Sequence, residues 1–145
     1  MVQLFIQIYD YDSLGRLIRA RQKTSSGTTL LTISNSYDDI GRAENGTYVM
    51  SDRTMSYSIT YAPDSNLVNR IEMPSASVNS SIKYTYDEFE RPIKKRITVN
   101  VRYWLEEHYE YYTYTEGGKT YTTQLVSKLT LKSYNTGRLL SQEVY

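Results

Sequence analysis

Tyrosines, aspartates and a single histidine are the residues of this chain whose types and spacing could do chemistry. The 145-residue sequence contains 16 Tyr, 1 Trp and 1 His, and it has no Cys. It therefore offers no thiolate nucleophile, no thiolate zinc site and no cluster of imidazoles. Lys and Arg number 17 against 16 Asp and Glu. That balance argues against a nucleic-acid-binding domain, which would carry a basic surface.

The richest aromatic segment lies between residues 103 and 121 and is a candidate carbohydrate-binding surface. Exposed tyrosine and tryptophan rings can stack on sugar rings, and tyrosine hydroxyls can bond to sugar hydroxyls. The candidate residues are Tyr103, Trp104, Tyr109 and Tyr111, with Tyr112, Tyr114 and Tyr121 beside them. We favour the alternative that these rings cover one face of a sheet that has little else to bury, where they stack across strands and against Arg or Lys side chains. Strand alternation sends Tyr112 and Tyr114 to the opposite side from Tyr109 and Tyr111.

The one histidine, His108, has a glutamate two residues away on either side, Glu106 and Glu110. On a strand these three side chains share a face and could bind a divalent cation weakly. We favour a solvated polar face instead. No nucleophile motif stands near the histidine, and no glycine-rich phosphate-binding loop occurs in the chain. The sequence therefore predicts a protein without catalytic residues, metal or cofactor.

One basic run, Lys94-Lys95-Arg96, interrupts the otherwise even distribution of charge. It straddles both faces of a predicted strand, so its three cations cannot converge on one anion. We interpret it as a charge cluster that protects an exposed sheet edge.

Three aspartates recur in the same short motif and invite comparison with the paired carboxylates of a glycosidase. They are Asp12, Asp38 and Asp87. A catalytic pair occurs once in a chain, whereas an aspartate that forms a turn must recur in every hairpin. Repetition therefore favours the turn.

The segments between these motifs alternate in polarity as β-strands do. From residue 93 to residue 105, apolar side chains recur at most of the odd positions, with Lys95 as an exception. No window has a convincing helical period. The turn-rich stretches divide the chain into eleven predicted strands of an antiparallel meander. Their predicted bounds are 3–11, 16–23, 28–37, 42–50, 54–61, 67–73, 81–87, 91–101, 104–115, 119–133 and 138–145.

The recurring motif joins tyrosine, aspartate, glycine and arginine. Its fullest copy is Tyr9, Tyr11, Asp12, Gly15 and Arg16. Further copies are Tyr37, Asp38, Gly41 and Arg42, then Tyr84, Tyr86, Asp87 and Arg91, and finally Tyr134, Gly137 and Arg138. With weaker copies at Tyr61 and Tyr114, a tyrosine recurs about every 25 residues, a period typical of a repeat protein.

Each motif has the chemistry of a tight turn. Asp12 and Gly15 fit a type I turn that is closed by a glycine with positive φ. The predicted cross-strand pairs are Asp12 with Arg16, Tyr11 with Leu17, Asp10 with Ile18 and Tyr9 with Arg19. In the copy at residues 84–92, Glu90 replaces the glycine. That residue either adopts positive φ at a cost of about 1 kcal/mol or belongs to a different kind of loop.

These repeats resemble the YD repeat, also called the Rhs repeat, of bacterial Rhs and insecticidal-toxin proteins, wall-associated proteins and teneurins. The resemblance spans nearly the whole chain. It implies a strip of β-hairpins that in long members spirals into a hollow shell, which encloses a toxin in some and serves as a scaffold in others. It also implies a secreted or cell-surface location and the carbohydrate binding proposed for such repeats.

Two departures from the family pattern limit what the resemblance implies. About five or six hairpin units are far fewer than a closed shell needs. The family's autoproteolytic Asp-Pro site is absent, because the sequence contains no Asp-Pro dipeptide. We therefore expect a short array or part of one rather than a complete toxin-delivery protein.

We thus predict an all-β fold, in which residues 1–145 form a single array of repeated β-hairpins in a curled antiparallel meander. The predicted function is a non-enzymatic structural segment of a large secreted or cell-surface protein, with carbohydrate binding or adhesion as the alternative. Expected partners are neighbouring repeats of a parent protein, a polysaccharide, and a second copy paired through strand 3–11 or 138–145. We expect no nucleic-acid binding, because positive and negative charges are nearly balanced. We expect no membrane insertion, because Gln3 and Gln7 interrupt the apolar start of the chain.

Overall fold

A computed structural model describes residues 4–75, 77–100, 103–133 and 138–145, of which Tyr103 is described by its backbone alone. The fold is all-β, with 71% of the residues in strands and no helix in the described ranges. Eleven strands form one open antiparallel sheet in which each strand pairs with the next along the chain. The predicted fold class is confirmed. No helix long and apolar enough to cross a membrane occurs among these residues.

The strands follow the alternation of the sequence closely. Each predicted strand is present, and each end lies within two residues of its predicted position. Their bounds are β1 Phe5–Tyr11, β2 Leu17–Thr24, β3 Thr29–Tyr37, β4 Ala43–Met50, β5 Thr54–Tyr61, β6 Val68–Met73, β7 Ser80–Tyr86, β8 Pro92–Val99, β9 Tyr103–Glu116, β10 Lys119–Ser133 and β11 Leu139–Val144.

The chain divides into two compact units. One comprises Met1–Thr60 with Ile71–Ser77, and the other comprises Tyr61–Arg70 with Val78–Tyr145. The first unit carries the turns at Asp12 and Asp38, and the second carries the turn at Asp87. The same motif therefore organises both units.

Neither unit has a buried hydrophobic core among the described residues. None of the hydrophobic side chains in the described ranges is buried, and the buried polar residues are Arg91, Glu106 and Thr130. A sheet without a buried apolar layer gains less from the hydrophobic effect than a packed domain does. Hydrogen bonds, ion pairs and ring contacts must therefore supply more of its stability.

The turns at Asp12, Asp38 and Asp87 have one geometry. In each, the aspartate N–H donates to the arginine carbonyl, and the residue before the arginine donates its N–H to the aspartate carbonyl. That preceding residue has positive φ, 78° at Gly15, 90° at Gly41 and 61° at Glu90. Glu90 thus occupies the glycine position of an otherwise identical loop, which decides between the two alternatives that the sequence left open.

The register next to each turn was only partly predicted. Tyr11 pairs with Leu17 as expected, but Asp10 pairs with Arg19 and Tyr9 with Ala20. The predicted pairs of Asp10 with Ile18 and of Tyr9 with Arg19 were wrong, because a β-bulge inserts Ile18 into β2. Arg19 therefore lies on the opposite face from Tyr9 and Tyr11, whereas the prediction placed it on theirs.

The same one-residue shift follows the other two turns. It comes directly after the predicted pairs Tyr37 with Ala43 and Tyr86 with Pro92, both of which are present. A bulge that recurs at the same place increases the local twist of each hairpin in the same way. The last predicted copy of the motif falls largely on Tyr134 to Gly137, which lie outside the described residues.

Replacing Glu90 by glycine should stabilise the protein. Glycine adopts positive φ without the steric cost that a β-carbon brings. It also raises the conformational entropy of the unfolded chain, which offsets part of the gain in stability. We expect Glu90→Gly to raise the free energy of unfolding by about 0.5–1 kcal/mol, measured by urea denaturation. The matched control Gly15→Glu should lower it by a similar amount. An unchanged or lower stability for Glu90→Gly would show that the turn geometry is not as described.

Candidate functional site

The three motif aspartates are fully engaged in their own turns. Oδ1 of Asp12 accepts the N–H groups of Leu14 and Arg16, both at 2.9 Å, and Oδ2 accepts Nε of Arg16 at 2.7 Å. Asp38 and Asp87 repeat this arrangement, with Nε distances of 2.7 Å from Arg42 and 2.8 Å from Arg91. Each carboxylate therefore closes a loop and fixes the direction of an arginine. This is the geometry of a turn, as repetition of the motif predicted.

These contacts lower the pKa of each turn aspartate. For Asp12 the hydrogen bond from the Arg16 backbone is the main cause, and for Asp87 it is the hydrogen bond from the Arg91 side chain. For Asp38 burial raises the pKa, but the combined hydrogen bonds from Arg42 outweigh it, so that the net pKa is again lowered. The folded protein thus holds all three carboxylates in their charged form.

Two of the fixed arginines, Arg16 and Arg91, lie against a tyrosine of the following hairpin. The Arg16 guanidinium carbon is 4.5 Å from the centre of the Tyr37 ring, and that of Arg91 is 4.2 Å from the centre of the Tyr111 ring. These are cation–π distances. We call this arrangement of turn aspartate, arginine and following tyrosine the Asp–Arg–Tyr lock.

The lock tyrosine is also bonded through its hydroxyl. Tyr37 donates to the carbonyl of Leu17 at 2.9 Å, and Tyr111 donates to the carbonyl of Pro92 at 2.8 Å. In both cases the acceptor is the residue directly after the lock arginine. At these two junctions a tyrosine, unlike phenylalanine, therefore joins a hairpin to the one before it by both ring and hydroxyl.

The lock has a fixed place in the strand register. Arg19 pairs with Ser34 in the β2–β3 ladder, and counting three residues towards the turn brings Arg16 opposite Tyr37. Lys94 pairs with His108 in the β8–β9 ladder, and the same count brings Arg91 opposite Tyr111. The lock therefore occurs at the same place in the register of both pairs of neighbouring hairpins.

One junction keeps the hydroxyl bond without the arginine. Tyr86 donates its hydroxyl to the carbonyl of Val68 at 2.8 Å. Val68 follows Leu67, which stands where Arg16 and Arg91 stand in the other junctions. The hydroxyl bond thus recurs in a repeat whose motif is degraded.

The repeat was counted from the last tyrosine before each turn, which in β9 is Tyr114. The lock instead uses Tyr111. The β9–β10 hairpin runs several residues beyond the lock before it turns at Gly117 and Gly118. Because of this extension, the tyrosine nearest to the turn is not the one at the junction. The interval from Tyr86 to Tyr111 is the period of 25 residues, and that interval was the signal to follow.

The lock at Arg91 also includes contacts with a third strand, β10. The Arg91 side chain is only 9% exposed, and it makes these contacts in addition to those with Asp87 and Tyr111. Nη1 donates to the Thr122 hydroxyl at 2.6 Å and to the carbonyl of Thr123. The β9–β10 register shifts just after Thr122, so the irregular backbone there receives the guanidinium.

Beyond Tyr111 the β9–β10 hairpin is an exposed arm. Every residue from 112 to 121 is exposed, and β8 pairs with β9 only as far as His108. Tyr114 and Tyr121 face each other across the arm, with ring centres 5.2 Å apart and ring planes inclined by 19°. Tyr112 is 55% exposed and shares the face of Tyr114. We call Tyr112, Tyr114 and Tyr121 the arm tyrosines.

The predicted carbohydrate-binding residues do not form one surface. Tyr109 and Tyr111 lie on one face of β9 and Trp104 on the other, since strand side chains alternate. The Arg96 guanidinium covers Trp104 at 4.2 Å, and Tyr111 belongs to a lock. The side chain of Tyr103 lies outside the described residues.

Tyr109 is committed to a polar contact of its own. Its hydroxyl donates to Oε2 of Glu107, which also pairs with Lys95 at 3.2 Å. Burial, together with the hydrogen bond to Glu107, raises the pKa of Tyr109 well above its usual range. The tyrosine therefore stays protonated as a donor.

The candidate metal ligands are engaged in ion pairs. Glu106 Oε1 accepts from Arg96 Nε at 2.8 Å, and Oε2 lies 3.0 Å from His108 Nε2. Glu110 instead pairs with Lys128 at 2.7 Å. Among the described residues, no group of three acidic, histidine or cysteine side chains is placed to hold a metal ion.

The basic run on β8 does not protect an edge. β8 lies inside the sheet, between β7 and β9. Arg96 pairs with Glu106 and Lys95 with Glu107 on the adjacent β9. The edge-protection prediction was wrong because the matching acids, ten and twelve residues away in β9, lie directly across the ladder.

Comparison with known proteins gives no family for the chain. No protein-family model matches it, and no curated protein matches it significantly. Membership of the YD-repeat family remains a prediction that rests on the motif residues.

Acid should weaken the fold through the turn aspartates. Their pKa is lower in the folded chain than the value of about 3.9 in an unfolded one. Their contribution is therefore complete above about pH 4 and is lost as the pH falls towards the folded pKa. We expect the urea midpoint to decline below that pH, and to decline less steeply in Asp12→Asn. Asp39→Asn, at the exposed neighbour of Asp38, should keep the full decline. Equal slopes for Asp12→Asn and the unchanged protein would contradict this account.

Proposed function

We propose that this chain is a non-enzymatic structural segment, an array of YD-type hairpins that forms part of a β-sheet scaffold in a larger secreted or cell-surface protein. The observation that carries this proposal is the Asp–Arg–Tyr lock. Its aspartates, arginines and tyrosines are the chemically distinctive residues of the repeat. At Arg16 and Arg91 these three residue types join one hairpin to the next.

The exposed apolar side chains also support a scaffold. Phe5, Ile40 and Phe89 are 47%, 73% and 54% exposed. A sheet with apolar groups on its surface fits a wall that further parts of the same protein cover. Stability in such an array should be a sum over hairpins and their junctions.

The size of the natural protein tests this proposal directly. An antibody raised against the purified chain should detect, in the secreted or surface fraction of the source cells, a protein several times larger than 16.9 kDa. The control is the same blot after the antibody has been absorbed with purified chain. A specific band at the mass of the chain, or a band confined to the cytosol, would contradict the proposed role.

Carbohydrate binding is the second candidate, and the arm tyrosines favour it. Tyr114 and Tyr121 are 48% and 42% exposed and already stacked on each other. A sugar ring can lie on such a preformed aromatic surface, with hydroxyls nearby as hydrogen-bonding partners. This surface differs from the predicted one, whose described members are covered or bonded elsewhere.

A glycan array separates the two candidates. The scaffold role alone predicts that the purified chain binds no glycan. The carbohydrate-binding role predicts specific binding that Tyr114→Ala abolishes. Tyr9→Ala, which removes a tyrosine 49% exposed at the other end of the chain, should then leave binding unchanged. Equal loss in both variants would show that the arm is not the site.

A further inference from the structure

Tyr11 occupies the position of a lock tyrosine, but within the described residues it takes part in no Asp–Arg–Tyr lock. It stands at the end of β1 as Tyr37 stands at the end of β3, directly before a motif aspartate. Tyr37, Tyr86 and Tyr111 all donate their hydroxyls to a preceding hairpin and are half-buried. Tyr11 is 58% exposed, and within the described part of the chain its hydroxyl has no partner. β1 is the first strand of the sheet, so among the described residues no hairpin pairs with its other side.

The backbone of β1 presents a definite pattern to its open side. Thr24 donates its N–H to Thr28, away from β1, so the pair of Phe5 with Thr24 is not hydrogen-bonded. Hydrogen-bonded and non-hydrogen-bonded pairs alternate along an antiparallel ladder. The N–H and C=O groups of Phe5, Gln7 and Tyr9 therefore point outwards.

The open side of β11 presents the same pattern. Tyr145 donates its N–H to Ser127 of β10, so its neighbour Val144 points away from β10. By the same alternation Gln142 points outwards as well. β11 is the last strand of the sheet, and each of its residues is exposed.

We propose that β11 of one copy of this chain pairs with β1 of a second copy, with Tyr11 of the second copy completing the junction at Arg138 and Leu139 of the first. In the described junctions the lock tyrosine stands opposite the arginine and bonds to the carbonyl of the next residue. Applied here, that rule places Tyr11 opposite Arg138 and aims its hydroxyl at the Leu139 carbonyl.

This register satisfies a condition that was not used to choose it. With Tyr11 opposite Arg138, counting along the two strands brings Gln142 opposite Gln7 and Val144 opposite Phe5. These are the residues whose backbone groups point outwards on the two edges. A shift by one residue would instead set outward groups against inward ones, and the ladder would not form.

The side chains fit the same register. Val144 and Phe5, which become direct neighbours, are 71% and 47% exposed in the single chain. Leu140, 49% exposed, comes opposite Tyr9, 49% exposed. Aromatic and aliphatic side chains that face each other across an antiparallel ladder stabilise it. Pairing of the two edges thus covers exposed apolar groups on both.

The edge that fits β11 in this register is β1 of the same sequence, so the partner is a second copy. The two edges of one copy differ from each other. Such a contact is heterologous, so each copy uses one edge to receive and the other to be received. The inference rests on the proposed scaffold role in that it reuses the scaffold's own junction.

Two edge-blocked variants test the proposal by sedimentation velocity. Proline removes an outward N–H without breaking the ladder inside the chain, so Gln7→Pro should block β1 and Gln142→Pro should block β11. The unchanged chain should form larger species as its concentration rises. Each proline variant alone should stay monomeric, and an equal mixture of the two should form a dimer that grows no further. Gln7→Ala and Gln142→Ala, the matched controls, should associate like the unchanged chain.

Tyr11→Phe provides a second test that does not depend on proline. It should weaken association about fivefold, as the loss of one hydrogen bond does. A monomeric unchanged chain, a mixture that stays monomeric, or a Gln7→Pro variant that dimerises alone would overturn the proposal. Circular dichroism that still shows a β-sheet in those samples would leave the scaffold role intact, whereas a blot band at the mass of the chain would remove that role without affecting association.

Discussion

An arginine guanidinium held by one carboxylate and covered by one tyrosine ring is the contact on which this sheet depends. Asp87 fixes Arg91, Arg91 lies on Tyr111, and the Tyr111 hydroxyl returns to Pro92. One unbroken set of contacts thus runs from a turn to the next hairpin. Without a buried apolar layer among the described residues, contacts of this kind decide how neighbouring strands align.

The lock also explains why the repeat keeps these residue types. Aspartate accepts two backbone N–H groups and an arginine at once, arginine offers a flat cation with several donors, and tyrosine combines a ring with a hydroxyl. Lysine could hold the charge but could not present a flat face and a directed Nε. The junction at Val68 shows what persists when the arginine is absent, which is the hydroxyl bond of Tyr86.

The strands and turns could be predicted because their causes are local. Alternating polarity and an aspartate four residues before an arginine need no knowledge of distant residues. The bulge at Ile18 was missed because no single residue type marks its position, since the residues at the corresponding place after the other turns are Glu44 and Ile93. Packing of the aromatic rings against arginine side chains was expected, but the partners of Trp104 and Tyr111 were not, because only the cross-strand register brings Arg96 and Arg91 to them.

A double-mutant cycle on Arg16 and Tyr37 tests the central claim most directly. Urea unfolding of Arg16→Gln, Tyr37→Leu and the double variant measures the coupling between guanidinium and ring. We predict a coupling of about 0.5–1 kcal/mol. The same cycle with Tyr48, whose ring packs near Tyr57 instead, should give less than about 0.3 kcal/mol. Equal coupling in the two cycles would contradict the claim that the lock joins one hairpin to the next.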